Sequence, residues 1–227
     1  MKKVIFITAS HSELGESGKK TGVWLEEVAT PYYKLKKENI QVDIASIRGG
    51  NVPLDPWSES KDWETEDTRQ FKNDTAAMHL MSNSLKLSDI SAANYDLVYC
   101  PGGHGPMWDF VDNPLLHDFL QEFITQEKPI AAMCHGVAAL VDALDINANA
   151  FVKGRKITSF ADSEEIGVGA QDSVPFLLET KLKELGATYT KGDDFSAHVV
   201  VDNNLVTGQN PASSNNVAQE MINLLTK

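Results

Sequence analysis

Residues Lys128–Leu140 read "KPIAAMCHGVAAL", and the fold is decided by how this stretch divides. A short apolar run, Pro129 to Met133, stops where a helical pattern starts, and Cys134 and His135 occupy the join. A strand ending at Met133 with a helix beginning just after Cys134 places the thiol on a tight turn at the carboxyl end of a buried strand. Such a turn, a nucleophile elbow, holds its central residue in a strained backbone conformation and needs small neighbours, which Ala132 and Gly136 supply. A helix N-terminus favours negative charge, and cysteines so placed have thiol pKa values of about 3.5 to 7.5. The expectation is a thiolate near neutral pH. The competing interpretation of Cys134 is a small buried hydrophobe, the usual place of a free cysteine. Spacing does not direct the His135 ring at the sulfur, because adjacent residues at a helix start point about 100° apart. Its backbone N–H, however, faces a developing oxyanion at this position of an elbow.

Working outward, similar apolar runs recur at "VIFIT" from Val4, "VDIASI" from Val42, "DLVYC" from Asp96 and "KITSF" from Lys156. Each is nearly continuous in apolar residues, as buried parallel strands are. Helical patterns lie between them. Asn113 and Pro114 cap and open one in which Leu115, Phe119 and Phe123 repeat; another runs from Ser173 and closes at Gly186. Alternating strands and helices predict an α/β fold: a doubly wound, mainly parallel sheet flanked by helices, flavodoxin-like, with ligands bound beyond the carboxyl ends of the strands. "HVVVDNNLVTG" adds an edge hairpin turning at Asn203 and Asn204. The last 15 residues predict an amphipathic helix whose N-cap is Ser213 or Ser214, with the alternative that "NPASS" lends polar groups to a pocket. Residues 1–227 are read as one domain.

Composition narrows the function. A formal net charge of −12 argues against nucleic acid, which draws on a surplus of Lys and Arg. Two cysteines build no disulfide framework, and no CxxC or HExxH run offers a zinc pattern, so both thiols are expected reduced, in the cytoplasm, with no metal. "MKKVIFITAS" imitates an export signal, but its apolar run is short and "HSELGESGKK" follows; it is expected to be the first buried strand. No segment is long enough to cross a bilayer. From Gly49 to about Lys72, prolines and tryptophans mix with charges, either as a solvated loop or as a flap over the site.

A second oxyanion donor is expected from another strand end. "YCPGGHGPMWDF" fits, since Gly102, Gly103 and Gly105 follow a strand ending near Cys100 and let backbone approach a ligand. Cys100 is expected in the core, as by default are Met107, Trp108 and Phe110, with the alternative that these three line a small apolar pocket, and His104 is left open. Together, "AAMCHG", "YCPGGHGPMWDF", "VPFLLETKLKELGA" and "LVTGQNPASS", in that order over nearly the whole chain, resemble the PfpI superfamily. This is the branch of class I glutamine amidotransferase-like folds that includes the heat-shock-chaperone-type glyoxalase III enzymes. "TGVWLEEVATPYY" is similar to the segment that presents a glutamate to the cysteine in that subgroup. On a helical wheel Glu27 lies at the edge of the stripe made by Trp24, Val28, Tyr32 and Leu35, whereas Glu26 points away, so Glu27 is the inward carboxylate; Pro31 is placed to kink this helix.

The resemblance implies that His135 is the base partner of Cys134 and that Glu165, from "ADSEEIGVG", orients the imidazole, with Asp162 and Glu164 as rivals. Without it, this acidic group reads as a solvated loop. It further implies cofactor-free conversion of a 2-oxoaldehyde such as methylglyoxal to a 2-hydroxy acid such as lactate. Cys134 would form a hemithioacetal, Gly103 and His135 would bind its oxyanion, and Glu27 would move a proton between neighbouring carbons. Other activities that the superfamily suggests are a cysteine amidase or peptidase, protein deglycation, a holdase chaperone and a redox sensor. Dimers are common in that superfamily, and no interface signature is visible in this sequence.

Overall fold

In the computed structural model, which describes residues 1–226, most of the apolar runs become strands of one sheet. The elements are β1 (Lys3–Thr8), α1 (Leu25–Lys37), β2 (Gln41–Ser46), α2 (Glu66–Asn73), α3 (Thr75–Ser82), β3 (Leu85–Lys86), β4 (Leu97–Cys100), α4 (Pro106–Asp109) and α5 (Pro114–Thr125). They continue with β5 (Ile130–Met133), β6 (Lys156–Ile157), α6 (Asp162–Gly167), α7 (Leu178–Glu184), β7 (Thr188–Tyr189), β8 (Val199–Asp202), β9 (Leu205–Gly208) and α8 (Ser214–Thr226). The seven-stranded sheet has the order β3-β2-β1-β4-β5-β9-β8, parallel throughout except for the β8–β9 pair. The chain leaves β1 for β2 on one side and later returns to β4 on the other. That reversal opens a crevice at the carboxyl ends of β1, β4 and β5, where α/β sheets bind ligands.

Alternation along the strands divides the core between two faces. Ile5, Ile7, Val98 and Ile130 pack with Leu116, Phe119, Leu120 and Phe123 of α5. Val4, Phe6, Tyr99 and Met133 pack with Val28 and Leu35 of α1 and with Val217 and Met221 of α8. Cys100 belongs to the first cluster, as expected, and burial pushes its thiol up to about 12.

Five local expectations are corrected. Only Lys156 and Ile157 of "KITSF" form a strand, and it pairs in parallel with β7 in a separate two-stranded sheet; the following residues leave the ladder to carry Phe160 toward the Cys134 carbonyl. The helix expected from Ser173 starts at Leu178, after turns through Val174 and Pro175, because a residue before proline is pushed out of the helical region. In α5, Asn113 caps as expected, but Leu115 is exposed and Leu116 takes the inward position. Neither Ser213 nor Ser214 caps α8: Ser213 Oγ bonds the backbone of His198, and Ser214 Oγ donates to the Pro211 carbonyl. Finally, Cys134–Leu140 is a 3₁₀ spiral, tighter than the α-helix expected there. The hairpin turns at Asn203, with φ 56°, on the sheet edge, and no helix among the described residues is long and apolar enough to cross a membrane.

Candidate active site

Cys134 has φ 54°, an uncommon conformation for a residue with a side chain and the expected strain of an elbow. Gly136 permits the turn, since a Cβ there would collide with the carbonyl oxygens of Cys100 and Pro101. Cys134 is 3% exposed and lines a pocket of about 440 Å³. Trp24, Trp57, Trp63, Phe160 and Phe195 make most of the apolar wall. The segment between Gly49 and Lys72 is therefore a built wall: two short 3₁₀ turns, Pro56–Glu59 and Lys61–Trp63, bring Trp57 and Trp63 over the site. Buried Asp55 anchors it by accepting from the Thr21 hydroxyl at 2.8 Å and from Trp57 N–H at 2.9 Å. Asn210 and Pro211 of "NPASS" also line the pocket. Trp108 does not; it stacks on His11.

Backbone N–H groups of Gly103 and His135 lie near the sulfur and favour its charged form. Gly103 has φ 83°, and a Cβ there would run into the Gly22 carbonyl, so only glycine brings this N–H so close. Beside the sulfur stands Glu27, with no solvent exposure. Its Oε2 accepts from Gly102 N–H at 2.6 Å, while Oε1 has no hydrogen-bond partner among the described residues; the Cys134 thiol is the side chain that meets the carboxyl. Burial pushes Glu27 up to about 8, against the pull of the Gly102 N–H and the Cys134 thiol, with the Glu26 charge adding to the rise.

The carboxyl is held from its backbone as well. Helix α1 runs unbroken through Pro31, which has no N–H to give the Glu27 carbonyl four residues earlier. The Tyr99 hydroxyl, from β4, donates to that carbonyl at 2.9 Å instead. Tyr99→Phe leaves the carbonyl buried and without that partner, at a cost of about 1–3 kcal/mol. Urea denaturation is expected to show this loss, and in a Pro31→Ala background, where the helix supplies the missing N–H, the same substitution is expected to cost less.

His135 is the third group at the sulfur. Its Nδ1 lies 3.4 Å from Cys134 Sγ and its Nε2 lies 2.6 Å from Glu165 Oε2, although spacing alone had not directed the ring at the sulfur. Phe160 and His104 flank the ring at centroid distances of 4.5 and 4.1 Å. Burial, then the neighbouring His104, lower the His135 pKa against the pull of Glu165, so the imidazole is neutral at neutral pH. Burial alone would raise Glu165, but His135 and His104 outweigh it and hold the carboxyl well below its ordinary range. An ionised Glu165 requires His135 Nε2 to be the donor, which leaves Nδ1 to accept the thiol proton. The two rivals are occupied elsewhere: Glu164 receives Ala161 N–H, Phe195 N–H and Asn210, and Asp162 bonds Thr180.

The thiolate expectation needs correction. Burial pushes the Cys134 thiol well above the ordinary range and the Glu27 charge adds to this, against the N–H groups of Gly103 and His135. What the sequence suggests as a standing thiolate is a buried thiol beside a carboxyl and a neutral imidazole, three groups that exchange protons as a unit. His104, left open by the sequence, donates to Glu165 Oε1 at 2.8 Å. The ligand atoms of His104, His135 and Glu165 lie within 4.8 Å of one another, close enough for a metal ion, and both rings are hydrogen-bonded to Glu165 through Nε2.

Known proteins carry the same frame. The chain is 30% identical to glutathione-independent glyoxalase HSP31 of Saccharomyces cerevisiae, over 99% of this chain and 98% of the relative. Among solved structures it is similar to the Rapid Encystment Protein REP24 of Francisella tularensis, with a TM-score of 0.95, 38% identity and 99% of each chain covered. It is also similar to glyoxalase III of Candida albicans, with a TM-score of 0.90 and 26% identity over 98% of this chain and 97% of that one. The model of the DJ-1/PfpI family matches residues 20–224, and the chain belongs to that family.

Proposed function

We propose that this protein is a glutathione-independent glyoxalase, converting methylglyoxal and similar 2-oxoaldehydes to 2-hydroxy acids, with Cys134, His135, Glu27 and Glu165 as its catalytic group and Gly103 as an oxyanion donor. The observation that carries the proposal is the fully buried Glu27 beside the elbow thiol, with a pKa of about 8. A carboxyl that titrates near neutral pH can both take and return a proton at carbon. A simple acyl-transfer site has no use for it. Two of the three relatives carry the same activity class in their names.

In the first step the Cys134 sulfur adds to the aldehyde carbon while its proton passes through His135 Nδ1 to the aldehyde oxygen, giving a neutral hemithioacetal. The N–H groups of Gly103 and His135 meet the oxygen as charge develops. Glu27 as carboxylate then takes the hydrogen of the former aldehyde carbon as a proton, forming an enediol, and returns it to the adjacent carbon. The hydroxyl proton moves from the first oxygen to the second, which leaves a 2-hydroxyacyl thioester on Cys134. Hydrolysis releases the acid and restores the thiol. Substrate plus water equals product, so no redox partner enters. The thiol of this cycle must stay reduced, and both cysteines are free, which supports a reducing compartment such as the cytoplasm.

Metal-free protein incubated with methylglyoxal in the absence of glutathione is expected to produce lactate, followed by chiral chromatography. Absence of lactate together with release of ammonia or amine from amide substrates would replace this proposal with a cysteine amidase.

A further inference from the structure

We propose that His104 is the general base of the second half-reaction, activating the water that hydrolyses the thioester on Cys134; this rests on the glyoxalase function proposed above. Glu165 holds two imidazoles, one on each oxygen: His135 Nε2 at 2.6 Å and His104 Nε2 at 2.8 Å. Because an ionised carboxylate only accepts, both Nε2 atoms are donors and both Nδ1 atoms are left as acceptors. His135 Nδ1 faces the sulfur at 3.4 Å. His104 Nδ1 makes no hydrogen bond to the described residues, and its ring lines the same pocket with 14% of the side chain exposed. One carboxylate therefore sets two bases in the same tautomer, one 3.4 Å from the thiol and one with its unpartnered nitrogen on a ring that lines the pocket.

Thioester hydrolysis needs such a second base. The water oxygen bonds to the thioester carbon as His104 Nδ1 takes one water proton. Collapse then breaks the carbon–sulfur bond, and the departing sulfur takes the remaining acid proton. The products are a 2-hydroxy carboxylate and the free thiol, and His104, open to the pocket, returns its proton to solvent. His135 is placed against the sulfur and is not required to serve the water.

The test is a single-turnover experiment with metal-free protein and methylglyoxal, quenched in acid and read by intact mass. In His104→Phe the 2-hydroxyacyl adduct on Cys134 is expected to form within about threefold of the wild-type rate and to decay about 10²–10⁴-fold more slowly, so that it accumulates. In His104→Ala, added imidazole is expected to restore the decay. Wild-type decay in His104→Phe, or equal loss of formation and decay in both variants without imidazole rescue, would overturn the role of His104 alone. A wild-type protein that forms neither adduct nor lactate would overturn the glyoxalase function and this role together.

Discussion

Glu27→Gln is expected to lower kcat/KM for methylglyoxal by about 10³-fold, within the range that general acid–base groups contribute, while making the protein more stable above neutral pH. The amide keeps the volume of the side chain, and its oxygen can still accept from Gly102 N–H, so the elbow stands. What is lost is the carboxylate beside the thiol that takes hydrogen from carbon in the proposed cycle. In the wild type the active base is the ionised carboxyl, so activity rises with pH and levels off near the value of about 8 to which burial pushes Glu27. The variant's residual activity is expected to lack that rise.

The stability effect has the opposite sense. Glu27 is raised from 4.5 in the unfolded chain to about 8 in the folded one, so between those values the folded state holds a proton that the unfolded state has released. Stability from this group is complete below pH 4.5 and is lost as pH rises through 8, up to about 5 kcal/mol at 1.36 kcal/mol per unit. The Gln variant bears none of this loss. Its melting temperature is expected to exceed that of the wild type by roughly 10–20 °C at pH 9, and to match it at pH 4. Calorimetry across that range checks it, and equal melting temperatures at pH 9 would mean that Glu27 is not buried as an ionisable group. A functional carboxyl that costs stability is the usual compromise of an active site.

The second large effect is expected at Glu165. Glu165→Gln replaces an acceptor of two imidazole N–H groups with an amide that has one accepting and one donating end. The amide N–H₂ then faces an imidazole Nε2 that carries a hydrogen, and one ring must change tautomer. If His135 changes, its Nδ1 presents a hydrogen to the Cys134 sulfur and can no longer accept the thiol proton. In a serine-protease triad the comparable carboxylate-to-amide change costs about 10⁴-fold in kcat through the wrong tautomer, and a loss of about 10³–10⁴-fold in lactate formation is expected here. Nitrogen-15 chemical shifts of the His135 ring check the tautomer directly. Near-wild-type activity in Glu165→Gln would remove Glu165 from the catalytic group.

The two carboxylates were not equally legible. Glu27 stands out because helical periodicity sorts it from Glu26, and local geometry carries over into the folded chain. Glu165 lies among Asp162 and Glu164 in a run that reads as solvated, and only family resemblance selects it. The elbow was visible in Ala132, Cys134 and Gly136 because steric demands are local. The state of its thiol was not: burial and the nearness of Glu27 are tertiary facts, and they override the helix N-terminus that favours a thiolate. Tyr99 reaching the carbonyl that Pro31 leaves free, Trp57 and Trp63 closing the pocket, and His104 sharing Glu165 all join segments far apart in sequence. Six strands of the sheet follow from their apolar runs, β3 at Leu85–Lys86 has no such run to show it, and "KITSF" is misassigned because a run of that composition serves equally well as a short bridge leading Phe160 into the site.

The most direct measurement is rapid-quench mass spectrometry of the metal-free wild-type protein mixed with methylglyoxal. A single adduct of substrate mass is expected on the peptide carrying Cys134, forming and decaying at rates that account for lactate release, and absent from Cys134→Ala, which makes no lactate. Lactate produced at the wild-type rate by Cys134→Ala, or an adduct that never decays to product, would contradict covalent catalysis at this elbow.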